Sequence, residues 1–223
     1  MKPIPSDLAL RAAQRLARNA SAGLVLPGDP RREAVLLALA AVHSLSGSGW
    51  SLDYAREHVC VTLPGVGSVA AKLLSAVPYV GPLFARAIEG LDRPTMFMSP
   101  VAVGDGPTLV GVTQHELGHV GDIRRGGLVW CAAYGIVGEV RAGAEGPCYG
   151  TDMAHRCRLG GVSPEQAEAD ANDALSHYGL DADGLSLARA IVRSAGETAR
   201  QGGDPGGVVA ESLAALAAEG WSP

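Results

Sequence analysis

His115-Glu116-Leu117-Gly118-His119 is the stretch of this chain whose residue types and spacing specify a chemistry most narrowly. Residues four apart on an α-helix lie about 40° apart around its axis, so His115 and His119 share one face and can ligate a single metal ion. Glu116 then stands beside that ion without binding it. Zinc lowers the pKa of a coordinated water towards ~7, and an adjacent carboxylate can take the proton and later pass it to a leaving amine. The residues therefore predict Zn2+ as cofactor, Glu116 as general base and a hydrolytic reaction. Leu109, Val110 and Val112 form an apolar run into the motif, as expected where a helix starts under a sheet edge and turns its first polar residues to a cleft.

A catalytic zinc normally takes three protein ligands and keeps a fourth position open, so a third ligand is required. The extension H-E-x-x-H-x-x-G-x-x-H is not met, because Asp122 stands at the glycine and Arg125 at the third histidine. Glu139 lies about twenty residues after His119, within Glu139-Val140-Arg141-Ala142. This E-x-x-A segment resembles the third-ligand helix of the gluzincins, the superfamily of thermolysin-like and related HExxH peptidases. The resemblance covers residues 113–149. It implies His115, His119 and Glu139 as metal ligands and Glu116 as base, with the alanine letting two helices approach closely. Glu145 is the rival ligand, about 240° from Glu139 on one helix, so both cannot face a metal unless the helix breaks at Gly143. Asp122, Asp152 and His155 are further alternatives, and Asp122 also fits a role holding an imidazole tautomer. Peptide hydrolysis needs a donor for the developing oxyanion as well, and Tyr149 and His155 are the candidates that follow the proposed ligand helix.

The elements that must position these groups are mostly helical. The 223 residues can bury a sizeable core, and 47% are hydrophobic while only 4% are aromatic, so the core is expected to be small side chains between close helices. Capping and periodicity predict helices over residues 6–19, from Pro30 to about Leu45, from Pro164 to about Tyr178, from about Gly184 to Arg200 and from Val208 to Ala218. Residues 58–63, 95–99 and 101–103 are the strand-like pieces. By the gluzincin resemblance, the strand before the motif helix, here 95–99, lines the cleft and pairs with an extended substrate. Residues 128–137 read as a buried helix, too short to cross a bilayer. The expected fold is α+β and mainly α-helical, a zincin-like core with a small β-sheet and helical flanks. Its segments are 1–53 (N-terminal helical), 54–158 (metal-binding core) and 159–223 (C-terminal helical), packed together or as one domain.

The function expected is zinc-dependent hydrolysis of a peptide or protein substrate. The alternative is a zinc-containing assembly or binding protein, held in a larger complex through its apolar helices. Leu63-Pro64-Gly65-Val66-Gly67 looks like the hairpin of helix-hairpin-helix DNA-binding modules. Yet Lys72 is the lone cation nearby, and a net charge of −5 argues against nucleic acid as the main partner. Residues 77–84 are apolar enough to meet a partner or a membrane surface. No transmembrane segment is evident, and residues 1–7 lack the apolar core of a secretory signal, which makes the cytoplasm, or a particle assembled from it, the expected location. Cys60, Cys131, Cys148 and Cys157 show no C-x-x-C spacing. In a reducing compartment they are expected free, with Cys148 to Cys157 the pairing to expect in an oxidising one.

Overall fold

Alanine-rich amphipathic segments dominate the chain, and they bury themselves against one another as helices. The computed structural model describes residues 3–46, 51–65 and 90–222, together with 82, 85 and 88. In chain order the elements are α1 (Ser6–Asn19), β1 (Gly23–Val25), α2 (Pro30–Ser46), α3 (Leu52–His58), β2 (Val61–Leu63), β3 (Thr95–Phe97), α4 (Gly106–Ile136), α5 (Gly138–Leu159), α6 (Pro164–Ser176), α7 (Ala182–Arg200) and α8 (Val208–Ala218). The protein is mainly helical with a small three-stranded sheet, as the sequence suggests. Of the DNA-hairpin resemblance only Leu63, Pro64 and Gly65 are described; Val66, Gly67, Lys72 and most of the apolar stretch 77–84 lie outside the described residues.

Strand order is β1-β3-β2, with β1 parallel and β2 antiparallel to β3. Met96 at the centre of β3 faces Leu24 on one side and Thr62 on the other. The strand expected to pair with a substrate is thus the central one, with both its edges already used. β2 is the edge strand nearer the motif helix, and Thr62 on it reaches Glu116. Residues 101–103 form a turn instead of a strand, closed by Val103 N–H to the Ser99 carbonyl and Gly104 N–H to the Val101 carbonyl.

The main core joins all three expected segments. Ala9, Ala12, Ala13 and Leu16 of α1 meet Met96 of β3 and Met98 just after it, Leu109, Val110 and Val120 of α4, and Leu216 and Trp221 at the C-terminal end. A second cluster joins Ala142 and Met153 of α5 to Ala167, Ala171 and Leu175 of α6 and to Ala188 and Val192 of α7. Small residues make this closeness possible: a Cβ on Gly150 would stand 2.8 Å from the Ala195 methyl of α7. The C-terminal helices therefore brace α5 from behind while α4 lies on its front.

α4 begins where Asp105 accepts a hydrogen bond from the Thr108 N–H, with Pro107 in the first turn. It continues past the motif to Ile136, interrupted at Gly127, whose φ of 58° and ψ of −150° suit glycine alone. Residues 128–137 were expected to form a buried helix, and its first turn is instead exposed. Leu128 is 53% and Val129 81% exposed, because the change of direction at Gly127 carries their side of the helix off the core. All four cysteines are free. Among the described residues, no helix is long and apolar enough to cross a membrane.

Candidate metal centre

Five polar residues within two turns of α4 are buried: Thr113, Gln114, His115, Glu116 and His119. Burying such groups is unfavourable unless each finds a partner, and the partners come from four elements, α4 itself, α8, β2 and α5. The Thr113 hydroxyl donates to the Leu109 carbonyl at 2.7 Å, and the Gln114 amide donates to Glu211 of α8 at 3.2 Å. Glu116 accepts from the Thr62 hydroxyl of β2 at 2.5 Å. His115 Nδ1 lies 2.8 Å from Asp152 of α5, and His119 Nδ1 lies 4.0 Å from the Cys148 sulfur, also on α5.

The other ring nitrogens of the two histidines converge on Glu145. Its carboxylate oxygens stand 3.5 Å from His115 Nε2 and 3.4 Å from His119 Nε2. Glu145 is 1% exposed; Oε1 accepts from the Tyr134 hydroxyl, and Oε2 makes no hydrogen bond. Four ligands about 2.0–2.2 Å from a tetrahedral ion lie about 3.3–3.6 Å from one another, so each of these two separations, made by different oxygens of Glu145, is compatible with a shared ion as well as with an ion pair. The donor set is two neutral-capable imidazoles and one carboxylate, with an orphaned buried oxygen among them, and it fits a divalent metal.

Cys148 adds a second set. One ligand atom each from His115, His119 and Cys148 lie within 4.8 Å of one another, and all three residues are buried, so this group could hold a metal ion. The sulfur, however, stands beside Nδ1 of His119, the nitrogen turned away from Glu145. Its approach is tight enough that a Cβ at Gly118 would meet it at 2.7 Å, which is the reason the motif's fourth residue is glycine.

Glu139 is not brought to the histidines. It lies exposed in the first turn of α5, where a carboxylate complements the partial positive charge of the helix N-terminus. The helix runs unbroken through Gly143. Six residues after Glu139, on the face packed against α4, comes Glu145, followed by Tyr149 and Asp152 at one and two turns. That run, a carboxylate with a tyrosine four and a carboxylate seven positions on, is a helical face legible in the sequence. Asp152 is what fixes His115: it accepts from Nδ1–H and leaves Nε2 free to ligate. Asp122 instead pairs with Arg125 at 2.5 Å.

His155 is likewise not brought into the cleft. It is fully buried, with Nδ1 on the Thr151 carbonyl at 2.9 Å and Nε2 on the Ser212 hydroxyl at 2.8 Å, and so docks α8 onto α5. Tyr149 does line the cleft, its ring edge-on to His115 at 5.0 Å and its hydroxyl donating to Tyr178 at 3.2 Å. Thr62, Tyr134 and Tyr178 are site residues without a motif of their own; only the fold brings them near.

The charges follow from this packing. Burial disfavours a charged His115 ring, but the Asp152 carboxylate beside it prevails and holds its pKa well above the ordinary histidine value. His119 is opposed by burial in the same way and raised by Cys148 and Glu145, to about 10. Burial raises the Glu145 carboxyl, and the two imidazoles outweigh it and lower its pKa overall. Tyr134 is pushed well up by burial and by Glu145, which keeps it a neutral donor.

A cleft of about 120 Å³ opens beside the histidines, lined by His115, Glu116 and Tyr149 on one side and by Cys60, Ser99 and Ala102 on the other. Comparison of the chain with known protein families, with curated proteins and with solved structures finds no match.

Proposed function

We propose that the protein is a zinc-dependent peptide hydrolase of zincin-like construction, with His115, His119 and Glu145 as ligands and Glu116 as general base. The observation that carries this reading is the buried Glu145 carboxylate, set 3.4 and 3.5 Å from the two Nε2 atoms with one oxygen lacking any hydrogen bond. Zinc suits two imidazoles and a carboxylate, and when bound it supplies Lewis acidity towards a scissile carbonyl and towards water.

The chain's own residues do the rest. Asp152 holds the His115 tautomer, and Tyr134 holds the Glu145 carboxylate. Glu116, at the cleft wall and braced by Thr62, accepts a proton from water and returns it to the departing amine. Tyr149 borders the same cleft, and its hydroxyl would serve a developing oxyanion by turning from the Tyr178 hydroxyl, to which it donates, towards the substrate. The edge of β2 adjoins Cys60, which lines the cleft, so an extended peptide could be held there by main-chain hydrogen bonds.

The test is Glu116→Gln. It is expected to bind metal as the parent does while turnover of a mixed peptide library falls by at least about a thousandfold, the scale on which activating groups act. A Glu116→Gln protein that still turns over peptides would end this assignment. The Cys148 group supports a second reading, a closed site holding a metal for structural reasons. In that case Cys148→Ser, not a Glu145 substitution, would release the ion.

A further inference from the structure

Aromatic residues are scarce here, yet they are not scattered. Of five tyrosines and six histidines in the chain, three of each line the cleft that holds His115 and Glu116. Two groups of rings face it. On the inner side Tyr149 stands perpendicular to His115 at 5.0 Å and to Tyr178 at 5.9 Å. At the mouth, Tyr54 stacks on His58 at 4.6 Å and tilts against His177 at 5.5 Å. The mouth rings come from opposite sides, Tyr54 and His58 from α3 and His177 from the end of α6. All three are partly exposed, with 39% of Tyr54 accessible and 41% and 50% of the two histidine side chains.

The rest of the lining is small or aliphatic, including Ala102, Val112 and Ala174. Among the described residues no lysine or arginine lines the cleft, and its two carboxylates are already engaged, Glu116 by Thr62 and Asp152 by His115. A charged side chain entering it would lose its hydration without gaining a counter-ion. A planar apolar ring would instead gain edge and face contacts at about 4.5–7 Å from several rings at once, an arrangement favourable beyond the area it buries.

We infer that this cleft is a specificity subsite for an aromatic side chain of the substrate, read by Tyr54, His58 and His177 at the mouth and by Tyr149 and Tyr178 within. The inference rests on the peptide-hydrolase reading only in taking that side chain to belong to a peptide. It defines the substrate class as segments carrying Phe, Tyr or Trp beside the scissile bond.

The test is binding without turnover, using the histidine and tyrosine ring signals of the Glu116→Gln protein in NMR titrations. The probes are N-acetyl-phenylalaninamide, N-acetyl-leucinamide and N-acetyl-lysinamide. The phenylalanine probe is expected to move the His58 and His177 signals and to bind at least about tenfold more tightly than the lysine probe and severalfold more tightly than the leucine one. Tyr54→Ala and Ala174→Phe, the second filling the cleft with its own ring, are each expected to weaken it about tenfold, while Tyr54→Phe retains it. Equal binding of the lysine probe, or phenylalanine binding that leaves His58 and His177 unmoved, would overturn the inference. Aromatic selectivity in a parent protein that hydrolyses no peptide would remove the hydrolase reading alone, and peptide cleavage indifferent to aromatic residues would remove the subsite alone.

Discussion

Asp152 decides which nitrogen of His115 is available. By accepting from Nδ1–H it presents Nε2 towards Glu145 and raises the basicity of the ring. Asp152→Asn should therefore weaken zinc binding about 10–100-fold without removing a ligand, measured by competition with a chromophoric chelator. The raised pKa values of His115 and of His119, the latter to about 10, mean that the metal-free site holds protons at neutral pH that a metal must displace. Zinc affinity should accordingly fall as the pH falls, with about one to two protons released per ion near pH 7 in calorimetric titrations run in buffers of different ionisation enthalpy. For the metal-free protein the sign is opposite. A histidine raised from 6.5 to about 10 adds stability that is complete below its ordinary value and lost as the pH climbs through the raised one.

At the scale of elements, α4 gives up side-chain volume where α5 crosses it, Gly118 admitting the Cys148 sulfur. Gly118→Ala puts a methyl 2.7 Å from that sulfur and should destabilise the fold by about 1–3 kcal/mol, while Cys148→Ala in the same protein relieves most of it; thermal melts of the two variants decide. The histidine pair was legible in the sequence because helical spacing alone puts the two on one face. Which glutamate meets them was not, because Glu139 and Glu145 share a helix and only the packing of α5 on α4 selects the face. Helices with caps or proline starts, such as Pro164–Ser176, were legible almost to the residue. The exposed apolar turn after Gly127 was not, since an apolar run looks the same in sequence whether or not a glycine swings it off the core. Thr62 carries no motif, and its bond to Glu116 exists only because a short strand is carried by β3 to the side of α4.

Across the whole molecule, the polar groups of the centre come from three elements: Thr62 from the sheet, His115, Glu116, His119 and Tyr134 from α4, and Glu145 and Asp152 from α5, with α8 tied in through Gln114. Elements from both ends of the chain brace this assembly, α1 and α8 through the main core and α6 and α7 behind α5. Such a distribution makes the ligand set a property of the folded protein, so binding a metal should stabilise the whole fold and not one loop. The most direct test is the zinc content of the parent, Glu145→Ala and Glu139→Ala, each purified without added metal and checked for folding by circular dichroism. About one zinc per chain in the parent and in Glu139→Ala, with none in Glu145→Ala, is the result expected of a His115–His119–Glu145 centre. Zinc retained by a folded Glu145→Ala protein, or lost from Glu139→Ala, would contradict it.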